Sequence, residues 1–177
     1  TNWQIITGSA SCGKTTLINL LAGKGFPTVE ETARLYIERE MAKGRKIQEI
    51  RKKDPVFQRR LIDMQCRIEG GLRAADVVFL DRGIPDYLAY CRVFGPNPNE
   101  ILAECFHNRY ASVFMLDPLP FHEDGARDED ASIVDYLGEW HIRDYTALGY
   151  NVMKVPVLEP EERVEFILEM LSKEGRI

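Results

Sequence analysis

The sequence predicts a three-layer α/β fold, in which a five-stranded, mainly parallel sheet is flanked by helices on both faces. Short apolar runs alternate with longer segments whose apolar residues recur every three or four positions. The strongest run, residues 77–80, is apolar without alternation, as expected of a strand in a parallel sheet covered on both faces. Of the 177 residues, 45% are hydrophobic, so we expect residues 1–177 to form a single domain with a sizeable core.

Each predicted strand is a short apolar run bounded by glycine, proline or charged residues. The second is the weakest, because it contains Pro27. In chain order the predicted strands are residues 3–7, 26–29, 77–80, 112–116 and 151–157.

The helices are predicted from the spacing of their apolar residues and from their caps. Asp54-Pro55 and Glu159-Pro160 are typical helix starts, and Gly23 ends the first helix. The basic residues 44–53 are predicted to be a mobile connection. In chain order the predicted helices are residues 14–22, 32–43, 55–75, 85–93, 99–110, 133–148 and 160–172.

The composition argues against several classes of function. A net charge of −5 gives no general affinity for nucleic acid or for an anionic membrane, so phosphate binding has to come from a local site. No apolar run approaches the ~20 residues of a membrane span, and the first residues lack the pattern of a signal peptide. The four cysteines lack zinc or redox spacing, so we interpret them as reduced thiols of a cytoplasmic protein. The oligomeric state is left open.

Residues 8–15, with the sequence GSASCGKT, match the phosphate-binding motif G-x-x-x-x-G-K-[ST] without a gap. Its glycines let successive backbone N–H groups point at phosphate oxygens. Lys14 is expected to bridge the β- and γ-phosphates, and the Thr15 hydroxyl to ligate Mg²⁺. The motif therefore predicts a P-loop NTPase fold that binds Mg²⁺ and ATP, with GTP as an alternative, through Gly8, Ser9, Ala10, Ser11, Cys12, Gly13, Lys14, Thr15 and Thr16.

Charged residues follow the second and third predicted strands, at the carboxyl ends where ligands bind in such sheets. Asp81 is predicted to orient magnesium, directly or through water, with helix capping as the alternative. Arg82 is a candidate for contact with a transferred phosphoryl group, and a salt bridge is its alternative. Glu30 or Glu31 is predicted to be the general base that accepts a hydroxyl proton. The alternative for these two acids is a charge that complements a helix dipole.

Three further residues are candidates for substrate contacts. Arg34 lies in the helix that follows the two glutamates. Asp86 lies one residue after Pro85, where stabilisation of a helix N-terminus is the alternative. Gln65 lies on the polar side of the long helix, and its alternative is a solvated surface position.

A long polar segment follows the fourth predicted strand. Long irregular segments in compact domains are often lids, so a lid is predicted over about residues 118–145. Arg127 and Arg143 are predicted to close over phosphates, with Arg127 stabilising charge during transfer. An acidic surface loop with paired arginines is the alternative.

With these features the chain resembles the NadR-like AAA branch of P-loop ATPase and kinase domains. That family includes ribosylnicotinamide-kinase domains, and the chain is more distantly similar to deoxynucleoside and thymidylate kinases. The resemblance implies that Glu30 or Glu31 and the Asp81-Arg82 pair are site residues. It spans nearly the whole chain and is carried by residues 8–16, Glu30-Glu31-x-x-Arg34, Phe57-Gln58 with Gln65, Asp81-Arg82-Gly83-Ile84-Pro85-Asp86-x-x-Ala89-Tyr90, and Leu119-Pro120-Phe121 followed by Asp124-Gly125-x-Arg127.

Two classes of function are compatible with these motifs. The order of phosphate loop, second-strand acid and Asp-Arg pair favours a kinase that transfers the γ-phosphoryl group of ATP to a hydroxyl of a nucleoside- or nucleotide-like small molecule. The alternative is an ATP- or GTP-dependent ATPase or regulatory switch that has no small-molecule acceptor. An Asn-Lys-x-Asp segment, typical of guanine-binding proteins, does not occur in the sequence, which favours ATP.

Overall fold

A computed structural model describes residues 1–50, 55–119 and 131–177. Its sheet has the strand order β2-β3-β1-β4-β5, and every neighbouring pair is parallel. The predicted α/β fold with a five-stranded parallel sheet flanked by helices is confirmed. The strands are β1 (Trp3–Thr7), β2 (Thr28–Val29), β3 (Val78–Asp81), β4 (Ser112–Leu116) and β5 (Val152–Val155).

Helices cover both faces of the sheet, so the strands are buried on both sides. Within β1, Ile5 packs into the core on one face and Ile6 into the core on the other, and both are completely buried. This accounts for apolar strands without alternation. The helices of the described residues are α1 (Lys14–Gly23), α2 (Thr32–Met41), α3 (Ile47–Ile50), α4 (Pro55–Gly70), α5 (Asp86–Phe94), α6 (Ala131–Ala147) and α7 (Pro160–Lys173).

The sequence of α7 explains where this helix begins and which of its faces packs against the protein. Glu159 and Glu162 form a capping box at its start, with Pro160 in the first turn. Its buried residues Ile167 and Leu171, four positions apart, lie on one face and pack against α1 and the sheet. The helix therefore lies beside the segment that carries the phosphate loop.

A second helical layer packs beside the sheet. The helices α2, α4 and α5 bury a common cluster that includes Phe57, Leu61 and Tyr87. The cluster also includes Ile84, which follows β3, and Ala33, which follows β2, so it lies beside the segments that leave those two strands. No described helix is long and apolar enough to cross a membrane.

Three predicted elements differ from the structure by more than two residues at an end. The prediction of a helix at residues 99–110 is wrong, because the helical structure of this segment is limited to the short 3₁₀ turns Pro98–Glu100 and Glu104–Phe106. Ile101 and Cys105 are buried whereas Leu102 and Phe106 are exposed, so the two turns bury only part of the apolar residues of this segment. The long helix ends at Gly70 rather than near residue 75. Within the predicted connection at residues 44–53, residues 47–50 form α3, and residues 51–54 lie outside the described residues.

Candidate active site

The phosphate-loop motif connects β1 to α1 at the carboxyl end of the central strand. Gly8 and Gly13 have φ angles of 145° and 93°, which glycine adopts without the steric penalty of a side chain. A Cβ atom at Gly8 would lie 2.8 Å from Cys12 Sγ and 3.0 Å from the Leu116 carbonyl oxygen. The motif therefore needs glycine at this position for its conformation and for space.

The side chain of Lys14 lies inside the loop. It is 6% exposed, and its Nζ donates to the carbonyl oxygens of Ser9 at 2.7 Å and Gly8 at 3.2 Å. The N-cap residue of α1 is Gly13, which has no side chain to accept from the first backbone N–H groups of this helix. An uncapped helix N-terminus beside a buried ammonium group favours an anion such as a polyphosphate.

Thr15 and Asp81 come together beside the loop. Thr15 Oγ1 lies 3.4 Å from Asp81 Oδ2, and Asp81 Oδ1 has no hydrogen-bond partner within the described part of the chain. Burial raises the pKa of Asp81 to about 6, against the opposing charges of Lys14 and Arg82. A carboxylate and a hydroxyl are ligands that suit Mg²⁺, which commonly takes one or two protein carboxylates and completes its shell with phosphates and water. These two residues would hold the ion.

Asp81→Asn is expected to stabilise the unliganded protein at pH 8. The folded-state pKa of Asp81, about 6, lies above its ordinary value of 3.8, so ionisation of this carboxyl lowers stability as the pH rises through 6. Asparagine removes the charge, and the gain in unfolding free energy is roughly 2–3 kcal/mol at pH 8, falling to about half at pH 5. Urea unfolding at the two pH values measures it. An equal gain at both would contradict a buried, ionised Asp81.

Arg82 connects the phosphate loop to the end of β2. It is 4% exposed, and its Nε donates to Glu31 Oε1 at 3.0 Å while its Nη1 donates to the Gly8 carbonyl at 3.2 Å. Nη1 also lies 3.2 Å from Asp86 Oδ1. The structure thus forms the salt bridge that is the alternative to a phosphoryl contact, and Arg82 acts on the site by holding its neighbours.

Asp86 and Gln65 do not fit their predicted contacts with a substrate, because both side chains are completely buried and hydrogen-bonded. Asp86 Oδ2 accepts from Tyr145 Oη at 2.6 Å, and its Oδ1 accepts from Thr7 and Arg82. Gln65 Nε2 donates to Glu69 at 2.9 Å. These residues instead hold the elements around the site together.

The two glutamates after β2 lie in different surroundings. Glu30 is exposed, whereas Glu31 is 31% exposed, lies at the start of α2 and faces Arg82. Burial alone favours the neutral acid, but the charges of Arg82 and Lys14 outweigh it and lower the pKa of Glu31. Glu31 is therefore ionised at neutral pH, and it is the one of the two that faces the phosphate loop.

Glu31 also lies in the wall of a cavity of about 360 Å³, within the range of small-molecule sites. Arg34, a predicted substrate contact, lines this cavity, as does Gln58 on α4, which was not among the predicted site residues. The other lining residues come from α2, α3, α4, α5 and the end of β3, and are mainly apolar or aromatic: Ala33, Ile37, Glu38, Ile47, Phe57, Leu61, Arg82, Tyr87, Tyr90 and Phe94.

The predicted lid is only partly described. Residues 131–145 belong to α6, whose Leu137 and Tyr145 are buried in the protein, so this part does not have the character of a lid. Arg143 is 61% exposed and pairs with Glu139 at 3.3 Å on the same helix, which matches the alternative of a paired surface arginine. Arg127 lies outside the described residues, with most of the segment before α6.

Arg163 on α7 is a residue that the sequence analysis missed. It is 1% exposed, and its guanidinium donates to the carbonyl oxygens of Cys12 at 2.8 Å and Asp117 at 3.2 Å. It thereby joins α7 to the phosphate loop and to the end of β4. The signal in the sequence is that Arg163 stands directly before the apolar stripe that begins at Val164. An arginine would otherwise be expected to be exposed.

Arg163→Met is expected to lower the free energy of unfolding by roughly 2–4 kcal/mol, because two carbonyl oxygens lose their buried donor. Lys173→Met, an exposed change on the same helix, is the control and should have little effect. Urea unfolding of both variants measures the difference. Equal free energies of unfolding for the two variants would show that the contacts of Arg163 do not stabilise the phosphate loop.

The fold and the loop define a P-loop nucleotide-binding domain, and the sequence comparison gives its family. The chain belongs to the AAA domain family, whose model matches residues 3–163. A comparison with curated proteins found no match.

Solved structures with the same fold are similar over nearly the whole chain. NadR protein in complex with NR is 22% identical, with a TM-score of 0.67, over 94% of this chain and 48% of the NadR chain. The chain thus spans about half the length of that protein. Shikimate kinase from Aquifex aeolicus is 18% identical, with a TM-score of 0.60 and 98% of both chains covered. Thymidylate kinase from Ehrlichia chaffeensis is 12% identical, with a TM-score of 0.65, over 96% of this chain and 97% of the kinase.

Proposed function

We propose that the protein is a kinase that transfers the γ-phosphoryl group of ATP to a hydroxyl group of a small nucleoside- or nucleotide-like acceptor. The observation that carries this proposal is the position of Glu31. Its carboxylate lies in the wall of the cavity and is held by Arg82, which also bonds to the Gly8 carbonyl of the phosphate loop. Glu31, the candidate base, thus lies between a cavity for the acceptor and the phosphate loop. Hydrolysis of ATP by water would not need a cavity of this size.

The residues around the loop have distinct roles in this proposal. Lys14 neutralises negative charge on the β- and γ-phosphates, as the loop and its helix N-terminus hold them in place. Thr15 and Asp81 would hold Mg²⁺, which would neutralise phosphate charge when bound. Glu31 accepts the proton of the acceptor hydroxyl as the oxygen bonds to the γ-phosphorus and the bond to ADP breaks. Its lowered pKa keeps it ionised and ready to accept a hydrogen bond from that hydroxyl.

A second opening, beside the loop, supports a nucleoside triphosphate as the phosphoryl donor. A space of about 500 Å³ is bordered by Gly13 and Thr16 and by the segment between β5 and α7. In that segment Val157 is 47% exposed and Leu158 39% exposed. Apolar side chains in such an open position suit the flat face of a nucleotide base.

The test is a labelling experiment with γ-labelled ATP, Mg²⁺ and a panel of nucleosides, nucleoside monophosphates and hydroxy acids. The expected result is transfer of label to one class of acceptor, with one ADP formed per labelled product. Release of label only as free phosphate, whatever acceptor is added, would overturn the kinase proposal and favour the ATPase alternative.

A further inference from the structure

The guanidinium group of Arg163 is fixed by elements outside the phosphate loop. Arg163 lies near the start of α7, and the following residues Val164 and Ile167 are completely buried in the core. Its Nη2 donates to the Asp117 carbonyl, and the Asp117 N–H donates to the carbonyl of Val155, at the end of β5, at 2.9 Å. The position of the guanidinium group is therefore set by α7 and by the ends of β4 and β5.

The peptide group that Arg163 contacts joins Cys12 to Gly13 in the phosphate loop. Arg163 Nη1 donates to the Cys12 carbonyl oxygen at 2.8 Å, and the peptide bond is trans. In a planar trans peptide the C=O and N–H bonds point in opposite directions. The N–H of Gly13 therefore points away from Arg163 and from α7.

This peptide group would turn easily without a contact that holds it. Gly13 has a φ angle of 93°, and glycine adopts positive and negative φ angles about equally well. A rotation of the peptide plane would reverse the N–H without moving the side chain of Cys12, which is completely buried. The next peptide group is held by α1, because the Leu17 N–H donates to the Gly13 carbonyl at 3.1 Å. Arg163 holds the peptide group before it.

We propose that Arg163 is a positioning residue for the nucleotide, because it holds the Cys12–Gly13 peptide group with the Gly13 N–H directed at the phosphates before the nucleotide binds. Since Arg163 is 1% exposed, it acts through this peptide group. A loop that already has the bound orientation binds more tightly, because the apparent Kd rises as the binding-competent fraction falls. This inference rests on the proposed function and adds the residue that prepares the same loop.

Calorimetry with Mg²⁺ and ATP measures the size of the effect. Arg163→Met removes the donor and is expected to weaken ATP binding about tenfold, which corresponds to the loss of one hydrogen bond. In the transfer reaction the KM for ATP should rise by the same factor while kcat stays the same, because bound ATP itself holds the peptide group. A merely structural role would lower the folded fraction, and with it kcat, at an unchanged KM. Lys173→Met, on the same helix, should leave the affinity, KM and kcat as they are.

Nuclear magnetic resonance of this one peptide group tests its orientation directly. The dipeptide Cys-Gly occurs once in the sequence, so protein labelled with ¹³C at the cysteine carbonyls and ¹⁵N at glycine gives one signal that joins the Cys12 carbonyl to the Gly13 N–H. In the unsubstituted protein, Mg²⁺ and ATP should move the Gly13 proton downfield, as its hydrogen bond to a phosphate forms, and leave the Cys12 carbon nearly in place. In Arg163→Met both nuclei should move, because the peptide group has to turn.

The outcomes separate this inference from the proposed function. Unchanged ATP affinity in Arg163→Met, or a weaker affinity with the signals of the unliganded peptide group unchanged, would overturn the role of Arg163 and leave the kinase proposal intact. If Arg163→Met does not fold, the unsubstituted protein decides, because a Gly13 proton that ATP does not move downfield overturns the inference.

Two further results concern the proposed function itself. Failure to label any acceptor, with ATP bound and the expected effects of Arg163→Met, would overturn the kinase proposal alone. Failure of the unsubstituted protein to bind Mg²⁺ and ATP would overturn both.

Discussion

Lys14→Ala is expected to lower phosphoryl transfer by about 10²–10³-fold, the effect of removing one preorganised donor from a site of developing charge. The Lys14 ammonium is buried inside the loop and is held only by carbonyl oxygens and the Cys12 sulfur among its described partners. Such a group is free to move to a phosphate without breaking an ion pair. Calorimetry with Mg²⁺ and ATP should show weaker binding, and single-turnover kinetics should show the loss of rate.

The control for this change is Lys24→Ala, which removes an exposed ammonium at the other end of the same helix. It is expected to bind ATP and to turn over at the original rate. If Lys14→Ala also binds ATP with unchanged affinity, the loop does not hold phosphates and the proposed function is wrong.

Glu31→Gln is expected to lower kcat by about 10²–10⁴-fold, the range for loss of a general base. Glutamine has the same shape and its carbonyl oxygen can still accept from Arg82 Nε, so the surrounding structure should persist. It cannot take the proton of the acceptor hydroxyl at neutral pH. Because the Glu31 side chain lies in the wall of the cavity and glutamine can keep the hydrogen bond with Arg82, the affinity for Mg²⁺ and ATP is expected to change little.

Glu30→Gln is the matched control, because it removes the same charge from the neighbouring, exposed position. Its rate is expected to stay within about twofold of the original, as for most surface substitutions. A large loss from Glu30→Gln with an unaffected Glu31→Gln would reverse the assignment of the base.

The fold and the phosphate loop could be predicted because their signals are local. The loop is contiguous in sequence, and each of its residues has one chemical reason to be there. The meeting of Thr15 and Asp81 could be expected as well, since the carboxyl ends of parallel strands share one edge of the sheet. Choosing between Glu30 and Glu31 was not possible, because it depends on which carboxylate meets Arg82, a residue that is distant in the chain.

The two glutamines of α4 show what the spacing of residues along a helix cannot predict. Gln58 and Gln65 are two helical turns apart, so they lie on the same side of the helix, and both are buried. In the sequence Gln65 is a candidate for a substrate contact, with a solvated position as the alternative, yet it bonds to Thr32 and Glu69, while Gln58 lines the cavity. The two glutamines differ because different parts of the protein pack against their two turns of α4. Those parts are distant from α4 in the sequence.

The contacts of Arg82 with Gly8 and Glu31 have a consequence for how the two substrates influence each other's binding. One guanidinium group bonds to Gly8 at the start of the loop and to Glu31 at the acceptor cavity. A nucleotide that displaces Gly8 therefore also displaces the carboxylate that meets the second substrate. Thermodynamic linkage makes such an influence mutual, so each substrate would alter the affinity for the other by the same factor. The binding of the nucleotide and the binding of the second substrate would then be coupled, and the side chain of Arg82 would transmit the coupling.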